Sequence, residues 1–317
     1  MLTHLMTKAG QAVLTIFLAS VVVFLGVRAL PGDPAVTLAG DNPDPQVVAA
    51  LRAELGLDQP LATQYVRYVE GLLHGDFGES VSSGQPVATM LGQALPVTLQ
   101  LTLLTVLCGS LIGVATGVVA ACRRGRWPEW AANGFSLLGL SVPNFWLAIL
   151  AVSYVASVLT FLPTSGYVSP TQDPWAALTH LIVPALILST SFAAIVMRQT
   201  RASMLEAFGT EYVLAARAKG MRETRVVLHH ALRNSLVVVL TIIGLQLGAL
   251  LSGAAVIEQI FGLPGIGRLA VRSVFSRDYP VVQAVVLISA VAYVLINLLV
   301  DALYTVIDPR VRVGGQP

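Results

Sequence analysis

An all-α, polytopic membrane protein with six transmembrane helices is the fold class this chain predicts, on three observations. Only 11% of its 317 residues are charged, less than half of the roughly 25% found in soluble domains, while 55% are hydrophobic and the mean hydropathy is +0.76. Six stretches approach or exceed the 20 or so apolar residues that cross a bilayer, at 10–30, 95–121, 131–162, 181–197, 235–257 and 281–306. The centres of all six carry no Asp, Glu, Lys or Arg, so the few charges fall between them. The same arithmetic excludes a pair of soluble domains, which would lack polar surface, and a net charge of +2 leaves no basic stripe for nucleic acid.

The first stretch follows Lys8 and is long enough to span; with no A-x-A cleavage site behind it, an uncleaved first helix is expected at 1–30 rather than a signal peptide. Residues 31–94 form the only sizeable polar segment, rich in Pro, Gly and Asp, with a helix expected from Pro45 to Leu55. They are read as a small ordered cap. Residues 95–307 then hold five spans. The third, 131–162, contains Pro143 and is expected to kink or end in an interfacial turn. Pro184 in the fourth reads as a second kink. The two cysteines, Cys108 and Cys122, have neither the number nor the spacing of a disulfide framework or a metal site.

Lys and Arg set the orientation. With the N-terminus inside, 13 of the 19 lie on the inner side, among them Arg123, Arg124, Arg126 and seven between Arg198 and Arg233. Both termini are therefore expected in the cytoplasm, including the tail 308–317. Eight of the 17 acidic residues lie in 31–94, which makes the cap acidic.

The polar groups within the spans are uncharged, Asn144, Ser189, Thr190, Ser191, Gln246 and Asn297 among them. Ion-coupled carriers and charge-selective channels need titratable or charged groups at that depth, so both lose ground. Gly109, Gly113 and Gly117, with Gly244, Gly248 and Ser252, form small-residue ridges suited to close helix packing. No H-E-x-x-H, G-x-S-x-G or zinc-type Cys/His set is present, and neither Lys8 nor Lys219 sits in a phosphate-binding loop. No enzyme is expected in this chain, and if ATP drives it, another chain binds the ATP.

The most informative segment is the inner loop 199–234. Leu205, Phe208, Tyr212, Ala215 and Lys219 recur at steps of three and four, which predicts an apolar stripe on one helix. Ala215 and Ala216 permit close docking, and Gly220 is placed to end the helix in the left-handed conformation. A second, basic helix from Met221 to Asn234 would lead into the fifth span. A helix, a sharp turn and a helix suit insertion into a partner's groove. His229 and His230 fall in this basic helix, away from any pathway.

At these residues the chain resembles the permease subunits of binding-protein-dependent ABC importers. Ala215, Ala216 and Gly220 match the A-A-x-x-x-G core of that superfamily's coupling loop, with Leu214 where the general motif has Glu and no closing proline near Arg233. The ordered pieces are similar to the dipeptide/oligopeptide/nickel branch, whose first permease carries an enlarged external loop. They are L-P-G-D-P at 30–34, L-G-L-D-Q-P at 55–60 with Gln64 and Tyr65, and G-D-F-G at 75–78. Then come S-V-P-N-F at 141–145, L-P-T-S-G at 162–166, E-Q-I-F at 258–261 with P-G-I-G at 264–267, R-D-Y-P at 277–280 and D-P-R at 308–310.

The resemblance implies the type I ABC importer permease fold in a bacterial inner membrane. It also implies a second permease, two cytoplasmic ATPases that hold the ATP and Mg, and an extracytoplasmic substrate-binding protein facing the cap. No cofactor or metal is expected on this chain. Leu205, Phe208, Glu211, Tyr212, Ala215, Ala216, Arg217, Lys219 and Gly220 become the ATPase-coupling residues, with Glu211, Arg217 and Lys219 either contacting the ATPase or forming a solvated face. Asn144 and Gln246 become candidates for the translocation path. Phe261, Pro264, Gly265 and Gly267 read as an external gate or as a rigid connector, the connector being preferred. The cargo implied is a short peptide, with nickel, haem or a glycoside as alternatives of the same branch. An ATP-independent carrier is the competing class, and an intramembrane serine protease a remote third, since only His180 lies near the serines of spans three and four.

Overall fold

The computed structural model describes residues 2–29, 34–39, 44–54, 56–158 and 161–307. Most of L-P-G-D-P at 30–34, Leu55, D-P-R at 308–310 and the tail 308–317 lie outside the described residues. Among the described residues the regular structure is helical apart from one antiparallel bridge, Glu79 with Pro86. It divides into two compact units, residues 1–98 with 264–295 and residues 99–263 with 296–317.

The first unit begins with α1 (Leu2–Ala29), followed by three helices where the sequence suggested one: α2 (Pro34–Ala39), α3 (Pro45–Glu54) and α4 (Leu61–Leu73). It also takes in the start of α5 (Val87–Cys122), which begins eight residues before the span read from hydropathy. Val87, Leu91 and Ala94 of α5 pack against Val281, Ala284 and Val285 near the unit's C-terminal end, with Phe77 and Ile288 over them. Where R-D-Y-P turns the chain, Asp278 is buried and gathers the 80–82 turn. Its carboxylate accepts from Ser80 Oγ (2.5 Å), Ser82 Oγ (2.8 Å), Val81 N (3.1 Å) and Ser82 N (3.2 Å). A buried carboxylate is tolerated only when its lone pairs are filled in this way. α4 packs through Tyr65 and Tyr68 on Phe24 of α1.

The second unit continues α5 and adds α6 (Trp127–Ser141) and α7 (Asn144–Ser157). The third expected span is these two helices, bent by 99° at Val142 and Pro143. Pro143 has no N–H to continue the ladder and disfavours helical backbone at the residue before it, so the kink expected from sequence is a right-angle break. Among the described residues, five helices are long and apolar enough to cross a membrane, and the count reaches six if the bent pair is one span.

At the centre of this unit stands α8 (Pro174–Phe208), opened by Pro174 at its first position and by Asp173, whose carboxylate accepts from Trp175 N and Ala176 N. It runs unbroken through Pro184 for 35 residues, about 52 Å at 1.5 Å per residue. α5 lies on it along the glycine ridge: a Cβ at Gly113 would stand 2.7 Å from Val196 Cβ and 2.8 Å from the Ala193 carbonyl, and one at Gly117 would stand 2.7 Å from Thr200 Cβ. α6 lies on another side through Ala132 against Met197, the Ser136 hydroxyl donating to the Ala194 carbonyl at 3.2 Å, and Gly139 against the Thr190 carbonyl. Small residues let both backbones approach, so dispersion holds helices that lipid gives no hydrophobic reason to associate.

The chain then passes α9 (Glu211–Ala218), α10 (Glu223–Arg225) and a π-helical segment (Val226–Leu232) that carries His229 and His230. It continues into α11 (Arg233–Ile260), α12 (Ile266–Phe275) and α13 (Tyr279–Ile307), α12 and the first part of α13 belonging to the first unit. Gly244 of α11 meets Val300 of α13, a hypothetical Cβ coming within 2.5 Å.

Candidate functional site

The segment 199–234 is not a long loop. Residues 199–208 complete α8, α9 spans Glu211–Ala218, and helix resumes at Glu223, so only 209–210 and 219–222 lie outside helix. The expected single helix from Leu205 to Gly220 is broken at Gly209 and Thr210. Thr210 has extended backbone and its carbonyl accepts from Val213 N and Leu214 N, which starts α9 anew. The apolar stripe is corrected accordingly. Carrying the period through the break puts Tyr212, Ala215 and Lys219 on one buried face, but Val213 and Ala216 are the buried residues of α9, packed on Val226 with Phe208 and Met221 around them. Tyr212 is 43% exposed and Leu214 52%, and Glu211, Ala215 and Lys219 are exposed as well.

Gly220 has φ +74°. Met221 N donates to the Ala216 carbonyl and Gly220 N to the Arg217 carbonyl, at 3.3 and 2.9 Å. That pair of bonds, with Met221 packed near Ala216, is a Schellman cap. A residue without Cβ takes that conformation at the least cost, and Asn comes next.

Arg217 is engaged within its own chain. Its Nη2 donates to Glu223 Oε1 at 2.6 Å, and the guanidinium lies 5.2 Å from the Phe208 ring centroid. The pair is half-exposed and weak by itself, but it ties α9 to α10 across the Gly220 turn. Arg217 and Glu223 also line an open cleft of about 790 Å³ with Cys122, Arg123, Arg124, Leu205 and Phe208. Close by in the same unit, Arg201 of α8 forms an ion pair with the buried Glu129 of α6, whose other oxygen accepts from Gly125 N at 2.6 Å. Sequence reasoning passed over Glu129. Its position in the first turn of a helix after the 123–126 arginines was the available signal.

Asn144 sits at the first position of α7, beyond the right-angle break, with Nδ2 at 3.3 Å from Ser191 Oγ and Oδ1 at 3.4 Å from Thr190 Oγ1. Gln246 is half-buried on α11. The turn residues also divide. Phe261 is buried, its carbonyl accepting from Gly166 N, while Pro264, Gly265 and Gly267 belong with the other unit. Gly265 caps α12, and Ile266 N donates to Thr98 Oγ1 at 2.8 Å.

This arrangement of helices defines the class. It resembles the permease fold of the inward-facing MetNI methionine ABC transporter, with a TM-score of 0.56 at 18% identity over 69% of this chain and 96% of that one. Residues 113–313 match the binding-protein-dependent transport system inner membrane component, and residues 1–102 match its N-terminal companion. The chain belongs to that family: it is a multi-pass inner membrane transport subunit and not itself catalytic. It is 44% identical over 313 residues to a Brucella melitensis protein provisionally named a peptide transport system permease, covering 98% of this chain and 99% of that one. It is 42% identical over 312 residues, at the same coverage, to the glutathione transport system permease protein GsiC of Escherichia coli K12.

Proposed function

We propose that this permease pairs with a second, homologous one to form the pathway through which an ATP-driven importer moves short peptides delivered by an external binding protein. Two cytoplasmic ATPases hold the ATP and Mg and drive the cycle, and both termini of this chain lie in the cytoplasm. α9 carries the reading. It is a short helix seated on Val226 by Val213 and Ala216, held by a glycine cap and the Arg217–Glu223 pair, with Tyr212 and Leu214 turned outward. An outward aromatic and an aliphatic side chain on a rigidly seated helix suit a groove on a partner, and its connection to α8 and α11 would carry the partner's motion into the spans. The 13 inner cations support the orientation, and relatives over 40% identical along nearly the whole chain support the peptide cargo.

The test is co-purification of the tagged chain from membranes in mild detergent. The second permease and the ATPases are expected to accompany it. A double variant, Tyr212→Glu with Leu214→Glu, should lose most of the ATPase and keep the permease partner, because neither side chain is part of the core. Retention of the ATPases at the unsubstituted level would remove α9 from the interface.

A further inference from the structure

α4 lies on the part of α1 that is itself inside the bilayer. The apolar stretch of α1, Gly10–Ala29, has 20 residues, about 30 Å of helix and the thickness of a hydrocarbon core. Ser20, nine residues before Ala29, is therefore about 14 Å from the end of the span. Its hydroxyl meets the Tyr65 hydroxyl at 2.8 Å. Tyr65 also packs edge-on to Phe24 at 5.2 Å and Phe17 at 6.5 Å between ring centroids. Nearer the end of α1, Arg28 folds back over the Phe24 ring at 3.5 Å and donates from Nε and Nη2 to Gln64 Oε1 at 3.1 and 2.8 Å. Ser20 with Tyr65 and Arg28 with Gln64 are thus paired within the contact, as hydrocarbon surroundings favour, while the Tyr68 hydroxyl beside Phe24 is buried without a hydrogen-bond partner among the described residues.

The rest of α4 has the pattern of a helix lying in an interface. At 100° per residue, Leu61, Leu72, Tyr65, Val69, Ala62, Leu73 and Val66 fill a continuous arc of about 140°, with Thr63, Arg67 and Glu70 on the other side. Tyr65 supplies the α1 contact, whereas Leu73 is 82% exposed, Val66 62% and Leu61 56%. We propose that α4 is immersed in the outer leaflet beside α1, with lipid acyl chains covering Ala62, Val66 and Leu73, so that this part of the 31–94 segment is a membrane element and not part of an aqueous cap. The occupant follows from continuity: the exposed arc runs on directly from residues that touch a span at membrane depth, and acyl chains already surround that span. The proposal rests on α1 crossing the membrane and stands apart from the cargo and ATPase assignments.

Nitroxide labels read it directly. In the assembled transporter with Cys108 and Cys122 replaced by alanine, Ala62→Cys, Leu73→Cys and Thr63→Cys are labelled singly and the complex is reconstituted in phospholipid liposomes. The ratio of oxygen to nickel-chelate accessibility is expected to be several-fold higher at 62 and 73 than at 63. A chelate accessibility at 62 or 73 equal to that at 63 would place α4 in water. Exclusion of both reagents from 62 or 73 would mean that a protein partner covers the face. Either result overturns the proposal.

Discussion

Gly113→Val is expected to remove nearly all folded protein from the membrane, while Gly134→Ala leaves the level unchanged or slightly raised. A Cβ on Gly113 would stand 2.7 Å from Val196 Cβ and 2.8 Å from the Ala193 carbonyl. The carbonyl belongs to α8 and cannot turn aside as a side-chain tip can. Relief therefore means separating α5 from α8, which also undoes the contacts of Gly109 and Gly117 along the same ridge. Overpacking of this kind costs about 3 kcal/mol or more, which lowers the ratio of folded to unfolded protein on the order of a hundredfold and consumes much of the stability of a marginally stable protein. Gly134 lies on α6 with no heavy atom within 4 Å of where a methyl group would stand, so alanine there gains helix propensity without a clash. Fluorescence-detected gel filtration of detergent extracts distinguishes the two. A monodisperse Gly113→Val protein at the unsubstituted level would show that α5 does not need its close approach to α8.

The second large effect is expected at Gly220 and is of a different kind. Gly220 has φ +74° and no heavy atom within 4 Å of where a Cβ would point. The cost of valine is therefore backbone strain, about 2 kcal/mol for an L-residue held in the left-handed region. The strain falls on the turn that seats α9 and leaves the spans alone. Gly220→Val should reach the membrane in normal amount, while the equilibrium that seats α9 shifts roughly thirtyfold against the seated position and uptake falls. Gly220→Asn should retain most of the uptake, since Asn visits this conformation readily. Equal uptake by the valine variant and the unsubstituted protein, at matched levels in the membrane, would show that the angle at Gly220 does not matter.

The contrast between these two glycines shows what was legible in the sequence. Spacing alone marked Gly109, Gly113 and Gly117 as a packing ridge, because four-residue spacing has one meaning on a helix. Composition marked the spans, since each must bury its own backbone polar groups. The boundaries of α9 were not read correctly, because the three-and-four periodicity happens to continue through Gly209 and Thr210 although the helix does not. Gly-Thr followed by Glu211 is a helix stop and a fresh start, and that signal outranks the apolar period. Pro143 flagged a break, but its 99° depends on how α7 packs on α8. Tyr65 on Phe24 and Asp278 with Ser80 pair residues 41 and 198 positions apart, and nothing local announces such partners.

The most direct measurement is uptake of a labelled tripeptide by the assembled transporter in proteoliposomes, with its binding protein outside and ATP within. Accumulation should require both, and should stop when the P-loop lysine of the partner ATPase is replaced. Accumulation that persists with that lysine replaced, or that runs on a proton gradient alone, would make this chain an ATP-independent carrier and contradict the coupling role given to α9.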